Sequence, residues 1–316
     1  MEQALYHPEH GYYSSDRAAI GRRGDYFTNV SVGPLFGELL AVQFAEIWER
    51  LGGIDNFAIV EQGAHHGEFA RDVLQLTQRR CPEFFAVLRY QIVEPFPKLQ
   101  AQQTQTLTEF GERVQWRKSL DELEPFVGVH FSNELLDAMP INLRDKVVGL
   151  KEDQFVFVGL ANEQITNQSQ LDWTQRVASR LQRGVVLIFD YGFPGSEFHE
   201  VVQVRAQHQQ FDLPFEQIGE ADITAHINWT DIAEAGEKSG LRLAGFTDQH
   251  HFLTGIISAF PEIIASEKSK RALQTLLHPE MLGRSFQVLG LVKDVDLAVP
   301  FSGFRFARQP RAVLGL

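Results

Sequence analysis

The chain has 316 residues, 44% hydrophobic and 22% charged, a composition that excludes a disordered or fibrous protein and allows a large core. Its 41 acidic residues against 29 Lys and Arg give a net charge of -12, which excludes a broad phosphate-tracking surface and sets nucleic acid aside as a partner. A single cysteine, Cys81, rules out an internal disulfide and fits a reducing, cytoplasmic setting; the longest apolar stretch, from Phe252, is interrupted by Pro261 and is too short for membrane insertion.

In chain order, the first 51 residues read as an N-terminal cap: a glycine-rich stretch, GRRGDYFTNVSVG, then the strongly apolar helix GPLFGELLAVQFAEIWERL, suited to core packing or to the interface of a homodimer. Residues 52–316 form the main domain. FAIVEQ (57–62) is a buried-type strand, and Phe69, Val73, Leu74 and Leu76 then recur at helical spacing. RYQIVE (89–94) is a second strand, followed by a Gln-rich helix from Lys98 to about Phe110. Val114–Trp116, GVHFSNE (128–134) and GVVLIFDYG (184–192) are the third, fourth and fifth strands. Apolar strands alternating with helices describe a parallel sheet covered on both faces. Insertions are expected around 141–170, as a hairpin (INLRDKVVGL, QFVFVGL), and around 205–235. LRLAGFT (241–247) and SFQVLGLVK (285–293) show no full helix pattern between them and are expected to close the sheet with an antiparallel edge.

Polar residues end the strands on one rim: Glu61, Glu94, Ser119, Asn133, Glu134 and Asp190. Ligands of open α/β sheets bind beyond those carboxyl ends, and an acid closing the second strand, here Glu94, suits ribose hydroxyls. The turn after the first strand reads Glu61-Gln-Gly63-Ala-His-His-Gly67. It lacks the G-x-G-x-x-G that a pyrophosphate requires, so a dinucleotide is disfavoured, whereas S-adenosylmethionine carries no phosphate and tolerates a looser turn. His65 and His66 suggest a metal, but adjacent turn residues are expected to diverge and no third ligand stands at a zinc-like spacing, so none is assigned. His250 and His251 are read the same way.

Several longer segments carry a resemblance. HPEHGYY (7–13), GDYFTNVSVGPLFGELLA (24–41), IVEPFPKLQAQQ (92–103), FSNELLDAMPI (131–141), DYG (190–192), RAQHQQFDLPFEQIGEADITAHINWTDI (205–232) and PEMLGRSFQVLGL (279–291) resemble, in order and nearly end to end, the MidA-like family of S-adenosylmethionine-dependent methyltransferases. The resemblance implies a class I methyltransferase-like fold, a mostly parallel seven-stranded sheet with an antiparallel last strand. It also implies S-adenosylmethionine as cofactor and a protein arginine as acceptor, in the mitochondrial members on a respiratory-complex subunit. The family usually has ELGPGxG where this chain has Glu61 to Gly67, so its middle glycine is replaced.

On this reading Glu61, Gly63, Glu94, Ser119 and Asn133 hold the cofactor, helped by Gly24, Asp25 and Thr28. Glu134 and Asp137 orient a guanidinium, and His226, near Asp222 and Asn228, takes a proton. Plainer readings stand beside these. Glu134 and Asp137 suit the cap of a helix starting near Leu135, Glu94 a surface carboxylate, His226 a satisfied buried histidine, and GRRGD an ordinary turn. A second class of function is an assembly factor whose altered turn no longer supports turnover.

Overall fold

Apolar runs become parallel strands where helices cover both of their faces; Phe57–Gln62, strand β1, is such a run, buried at every residue but the last. The computed structural model describes residues 1–14, 28–142, 146–159, 167–198, 202–206, 209–264 and 266–316. Among the described residues, the α-helices α1 (Glu2–Tyr6) and α2 (Leu35–Arg50) precede β1. After it come α3 (Glu68–Arg80), α4 (Pro82–Val87), β2 (Leu88–Val93), α5 (Pro97–Thr106), β3 (Val114–Arg117) and β4 (Phe126–Asn133). The hairpin β5 (Lys146–Lys151) and β6 (Gln154–Gly159) leads to α6 (Gln168–Arg180) and β7 (Leu181–Phe193). Three short strands, β8 (Val202–Ala206), β9 (Gln209–Phe211) and β10 (Asp222–Ala225), form a separate small sheet. The chain ends through β11 (Ile227–Asn228), α7 (Trp229–Lys238), β12 (Arg242–Asp248), α8 (Gln249–Ala259), α9 (Glu267–Leu277), β13 (Phe286–Lys293) and α10 (Pro310–Leu314).

The main sheet runs β12-β13-β7-β4-β1-β2-β3, with β11 paired to the end of β7. Strand β13 is antiparallel to both neighbours, and the pairs from β7 across to β3 are parallel. The expected mostly parallel seven-stranded sheet with an antiparallel last strand is therefore present. Its antiparallel strand is not the edge, however. It inserts between β7 and β12, because α8 and α9 carry the chain back across a sheet face before β13 begins. The expectation of no full helix between the last two strands is corrected: α8, with Phe252, Leu253, Gly255 and Ile256 buried, and α9 both lie between β12 and β13. Asp248 caps α8 by accepting from the backbone N of His251 at 2.8 Å and lies 2.7 Å from its Nδ1, which gives the His250-His251 pair a structural setting.

Helix α2 is buried at eleven of its 16 residues and belongs to the core. Phe36 and Phe44 meet Phe69 and Phe131, and Gly37 lets α2 approach α3 so closely that an added Cβ would stand 2.8 Å from Asp72 Cβ. Each such side chain contributes about 1.5–3 kcal/mol of burial. The homodimer interface suggested for this helix is thus not on offer, since its apolar surface is spent inside its own chain. Leu5 and Tyr12 pack with Val204 and Ile223, so the N-terminal segment lies on the small sheet. Chain order reverses between β1 and β4, and the crevice at their carboxyl ends is the switch point where α/β sheets bind ligands.

Candidate active site

Two clefts open at that crevice. One, of about 490 Å³, lies over the ends of β1, β2 and β4 and is lined by Thr28, Glu61, Gly63, His65, Glu94 and Asn133, with Tyr6, Tyr13 and Phe96 as aromatic walls. Its volume falls within the range of small-molecule sites. The other, of about 1110 Å³, is bounded by Glu134, Asp137, Tyr191, Arg205, Asp222 and His226. Tyr13 and Glu134 line both.

Most of the expected residues converge here. Glu61 is 3% exposed and accepts at Oε2 from the hydroxyl of Tyr90 at 2.7 Å. Burial pushes its carboxyl up to about 8, against that hydrogen bond and with the charge of Glu68 adding to the rise. Glu94 is 4% exposed, so the surface-carboxylate reading fails. Its Oε1 accepts from Phe96 N at 3.0 Å and its Oε2 from Gln103 Nε2 at 3.1 Å. Burial raises it to about 7 in spite of both bonds. Asn133 donates from Nδ2 to Glu134 Oε1 at 2.9 Å.

The turn between β1 and α3 closes as a ligand turn although its middle glycine is replaced. Gly63 has φ 83°, and Gly67, the residue before α3, has φ 85°. His65 takes φ 45°, a left-handed position that costs a side-chain-bearing residue about 1–2 kcal/mol. Gln103 offsets this by donating from the same Nε2 to the carbonyl of His65 at 2.8 Å, while its Oε1 accepts from Trp116 Nε1 at 2.9 Å. The expected divergence of the two imidazoles is not observed. Their rings stack with centroids 3.7 Å apart, and Glu68 stands beside them.

No helix follows Leu135, which overturns the capping reading of Glu134 and Asp137. Residues 134–139 form a turn held by Asp190, whose Oδ2 accepts from Leu135 N, Leu136 N and Asp137 N at 3.1, 2.9 and 3.3 Å. Glu134, at φ 53°, is tethered by its backbone N to the carbonyl of Phe189 at 3.0 Å. Burial lifts its carboxyl to about 8; the Asn133 hydrogen bond opposes the rise and the charges of Asp190 and Asp222 add to it. Asp137 is raised well above the carboxylate range, first by burial, then by Asp190, Asp222 and Glu134. Burial sets Asp190 to about 7. Asp222 accepts from the Tyr13 hydroxyl at 2.6 Å. His226 stands on the wall of the same cleft, its ring edge-on to Phe193 at 5.1 Å and its Nε2 3.5 Å from Gln203 Nε2.

Two expectations fall elsewhere. Ser119 lines neither cleft; it precedes the short turn Leu120–Glu122 and accepts at its carbonyl from Glu122 N. Gly24 and Asp25 lie outside the described residues. Three residues that support the site escaped the sequence reading. Gln103 is one. The others are Asn29 and Gln249, both fully buried: Gln249 Nε2 donates to Asn29 Oδ1 at 2.8 Å, and Asn29 Nδ2 donates to Asn133 Oδ1 at 2.8 Å. Gln249 is the first residue of α8, and its burial requires a partner, but nothing in the local sequence says that the partner is Asn29.

The residues fit S-adenosylmethionine. Each oxygen of Glu94 accepts one hydrogen bond from the protein and, as a carboxylate oxygen, has room for a ribose hydroxyl. Val93, Phe96 and Leu99, on the same cleft, would give an adenine an apolar bed. Buried carboxylates raised by desolvation suit the sulfonium and ammonium charges that would ionise them.

A family model described as "Putative S-adenosyl-L-methionine-dependent methyltransferase" matches residues 39–164 and 161–247. The chain is 25% identical over 357 residues to the protein arginine methyltransferase NDUFAF7 homolog, mitochondrial, of Drosophila melanogaster, covering 93% of this chain and 80% of that protein. It is 21% identical over 371 residues to the protein arginine methyltransferase NDUFAF7, mitochondrial, of Homo sapiens, covering 98% and 82%. A crystal structure from Burkholderia thailandensis, bound to S-adenosyl-homocysteine, matches with a TM-score of 0.85 at 27% identity, over 98% of this chain and 90% of that one.

Proposed function

Because the chain belongs to this family of S-adenosyl-L-methionine-dependent methyltransferases, we propose that it methylates a protein side chain, and that the side chain is arginine. The observation that carries this reading is the junction of the two clefts at Glu134, with the buried carboxylates Asp137 and Asp222 lining the second cleft beside it. A guanidinium is a planar, always charged fork, and carboxylates hold such a fork in a fixed plane. A neutral acceptor would leave raised carboxyls such as Asp137 and Glu134 protonated, whereas a guanidinium would ionise them and be held by the resulting charge. The arginine methyltransferase names of the relatives support the same acceptor.

The cofactor supplies the electrophilic methyl group together with its own leaving group. The chain's residues therefore have to position and desolvate. Glu94 would accept from the ribose hydroxyls. Glu61, the Gly63–Gly67 turn, Thr28 and Asn133 would hold the methionyl end; the resemblance also assigns Gly24 and Asp25 to the cofactor. Glu134 and Asp137 fix the guanidinium plane so that one nitrogen faces the first cleft. The acceptor nitrogen must lose a proton when it is methylated, and His226 on the cleft wall would receive it.

The test is transfer from methyl-labelled cofactor into proteins of a strain lacking this gene, with the labelled residue mapped by mass spectrometry. A subunit of a respiratory complex, the acceptor implied by the resemblance, is the first to try. Label on arginine is expected; label confined to another residue type or to small molecules contradicts the reading.

A further inference from the structure

The turn after β1 gathers three metal-ligating side chains that the transfer reaction does not use. The rings of His65 and His66 are stacked with 29° between their planes, and Glu68, the first residue of α3, brings Oε1 to 3.9 Å from His66 Nδ1. One ligand atom from each of the three lies within 4.8 Å of the others. All three are half-buried and line the first cleft.

Two imidazoles and one carboxylate with an open side form the donor set of an open zinc site. Imidazole also selects zinc, copper and nickel over magnesium and calcium. Bonds of 2.0–2.2 Å in a tetrahedron place ligand atoms about 3.3 Å apart, so the set must contract by roughly 1.5 Å at its widest. His66 and Glu68 supply that movement, their side chains being 39% and 37% exposed. His65 stays where the bond from Gln103 to its carbonyl holds its backbone. The positive end of the α3 dipole opposes a cation here. That fractional charge is smaller than the full negative charge of Glu68, and Glu61 lies close enough to interact electrostatically with Glu68.

We infer that His65, His66 and Glu68 bind a divalent transition-metal ion of the zinc type, and that the bound ion and S-adenosylmethionine exclude each other from the first cleft. The ion places two positive charges where the cofactor brings its own cationic groups, and its open coordination side faces the same space. The replacement of the family's middle glycine by histidine thus adds a ligand to the turn.

Cobalt(II) reports the site directly, because tetrahedral coordination by nitrogen and oxygen gives visible absorption bands. The full chain, stripped with a chelator, is titrated with CoCl2 and then with ZnCl2 in competition. One ion per chain is expected, with affinity at least tenfold weaker in His66→Ala and in Glu68→Gln, two half-exposed positions whose folding is checked by thermal unfolding. Absence of the bands in the wild-type chain, or equal affinity in both variants, overturns the site. With zinc held at ten times its Kd, the apparent Kd for S-adenosyl-homocysteine rises about tenfold, by reciprocal linkage; an unchanged value overturns the exclusion. The cobalt titration needs no cofactor, so its failure leaves the methyltransferase reading intact.

Discussion

Tyr90 donates its hydroxyl to Glu61 Oε2 at 2.7 Å across the parallel pair β1 and β2, with both side chains buried. In the register Tyr90 lies beside Ile59 and Ile92 beside Glu61, so the two side chains are diagonal neighbours on one face of the sheet. The carboxylate is thereby aimed by a rigid strand and not by a loop. Tyr90→Phe leaves Glu61 with one buried acceptor unsatisfied, which costs about 1–3 kcal/mol. Chemical denaturation should show that loss, and calorimetry a weaker affinity for S-adenosyl-homocysteine. A variant as stable as wild type would show that the bond does not hold Glu61.

His65 carries a side chain at φ 45° where the family pattern has glycine. His65→Ala and His65→Gly both remove the imidazole, so comparing them isolates the backbone. Relief of about 1–2 kcal/mol of left-handed strain exceeds the 0.4–1 kcal/mol that glycine loses through a freer unfolded chain. The glycine variant should be the more stable by up to about 1.6 kcal/mol in denaturant unfolding. An alanine variant of equal or greater stability would mean that the turn relaxes out of the left-handed region.

How much of this was legible follows from which residues interact locally. The strands around Glu61, Glu94 and Asn133 were readable because each is a short segment rich in apolar residues that ends in a polar one, and the hairpin 146–159 because its pattern is local. Helix α8 was missed because its buried residues, from Phe252 to Ile256, read as part of one apolar stretch running to Pro261. The Gln249-Asn29-Asn133 relay was invisible for another reason: its members are 220 and 104 residues apart in sequence, and only the fold brings them together. Gln103 looked like one more residue of a Gln-rich helix, yet the fold buries it between the turn, β2 and β3.

The pH dependence follows from the raised carboxylates. Glu61 and Glu134 titrate at about 8 and Glu94 and Asp190 at about 7 in the folded chain, against about 4 unfolded. Between those values the native state binds more protons than the unfolded state, so stability is full below pH 4 with respect to these groups and falls as pH rises through 7 to 8. The cofactor-free chain should therefore melt at lower temperature at pH 8 than at pH 6. Cationic S-adenosylmethionine favours the ionised forms, so its binding should release protons near pH 7, seen as a heat that changes with the ionisation enthalpy of the buffer. Buffer-independent heat would contradict the assignment of these groups to the cofactor's surroundings.

Glu134→Gln keeps the shape and the bond to Asn133 and removes the charge at the junction of the two clefts. Turnover should fall about 100-fold or more, the scale of a lost catalytic carboxylate. Affinity for S-adenosyl-homocysteine should change by less than about threefold, because the loss falls on the acceptor side. Near-normal turnover would remove Glu134 from the acceptor site.

The central claim is that the cofactor lodges between Glu61 and Glu94 at the ends of neighbouring strands. It is tested most directly by calorimetric titration of S-adenosylmethionine into the wild-type chain and into Glu94→Ala. Wild type should bind one molecule per chain, and the variant at least tenfold more weakly, the equivalent of about 1.4 kcal/mol of lost hydrogen bonding. Equal affinity in the two, with both folded, would place the adenosyl group elsewhere and contradict the account.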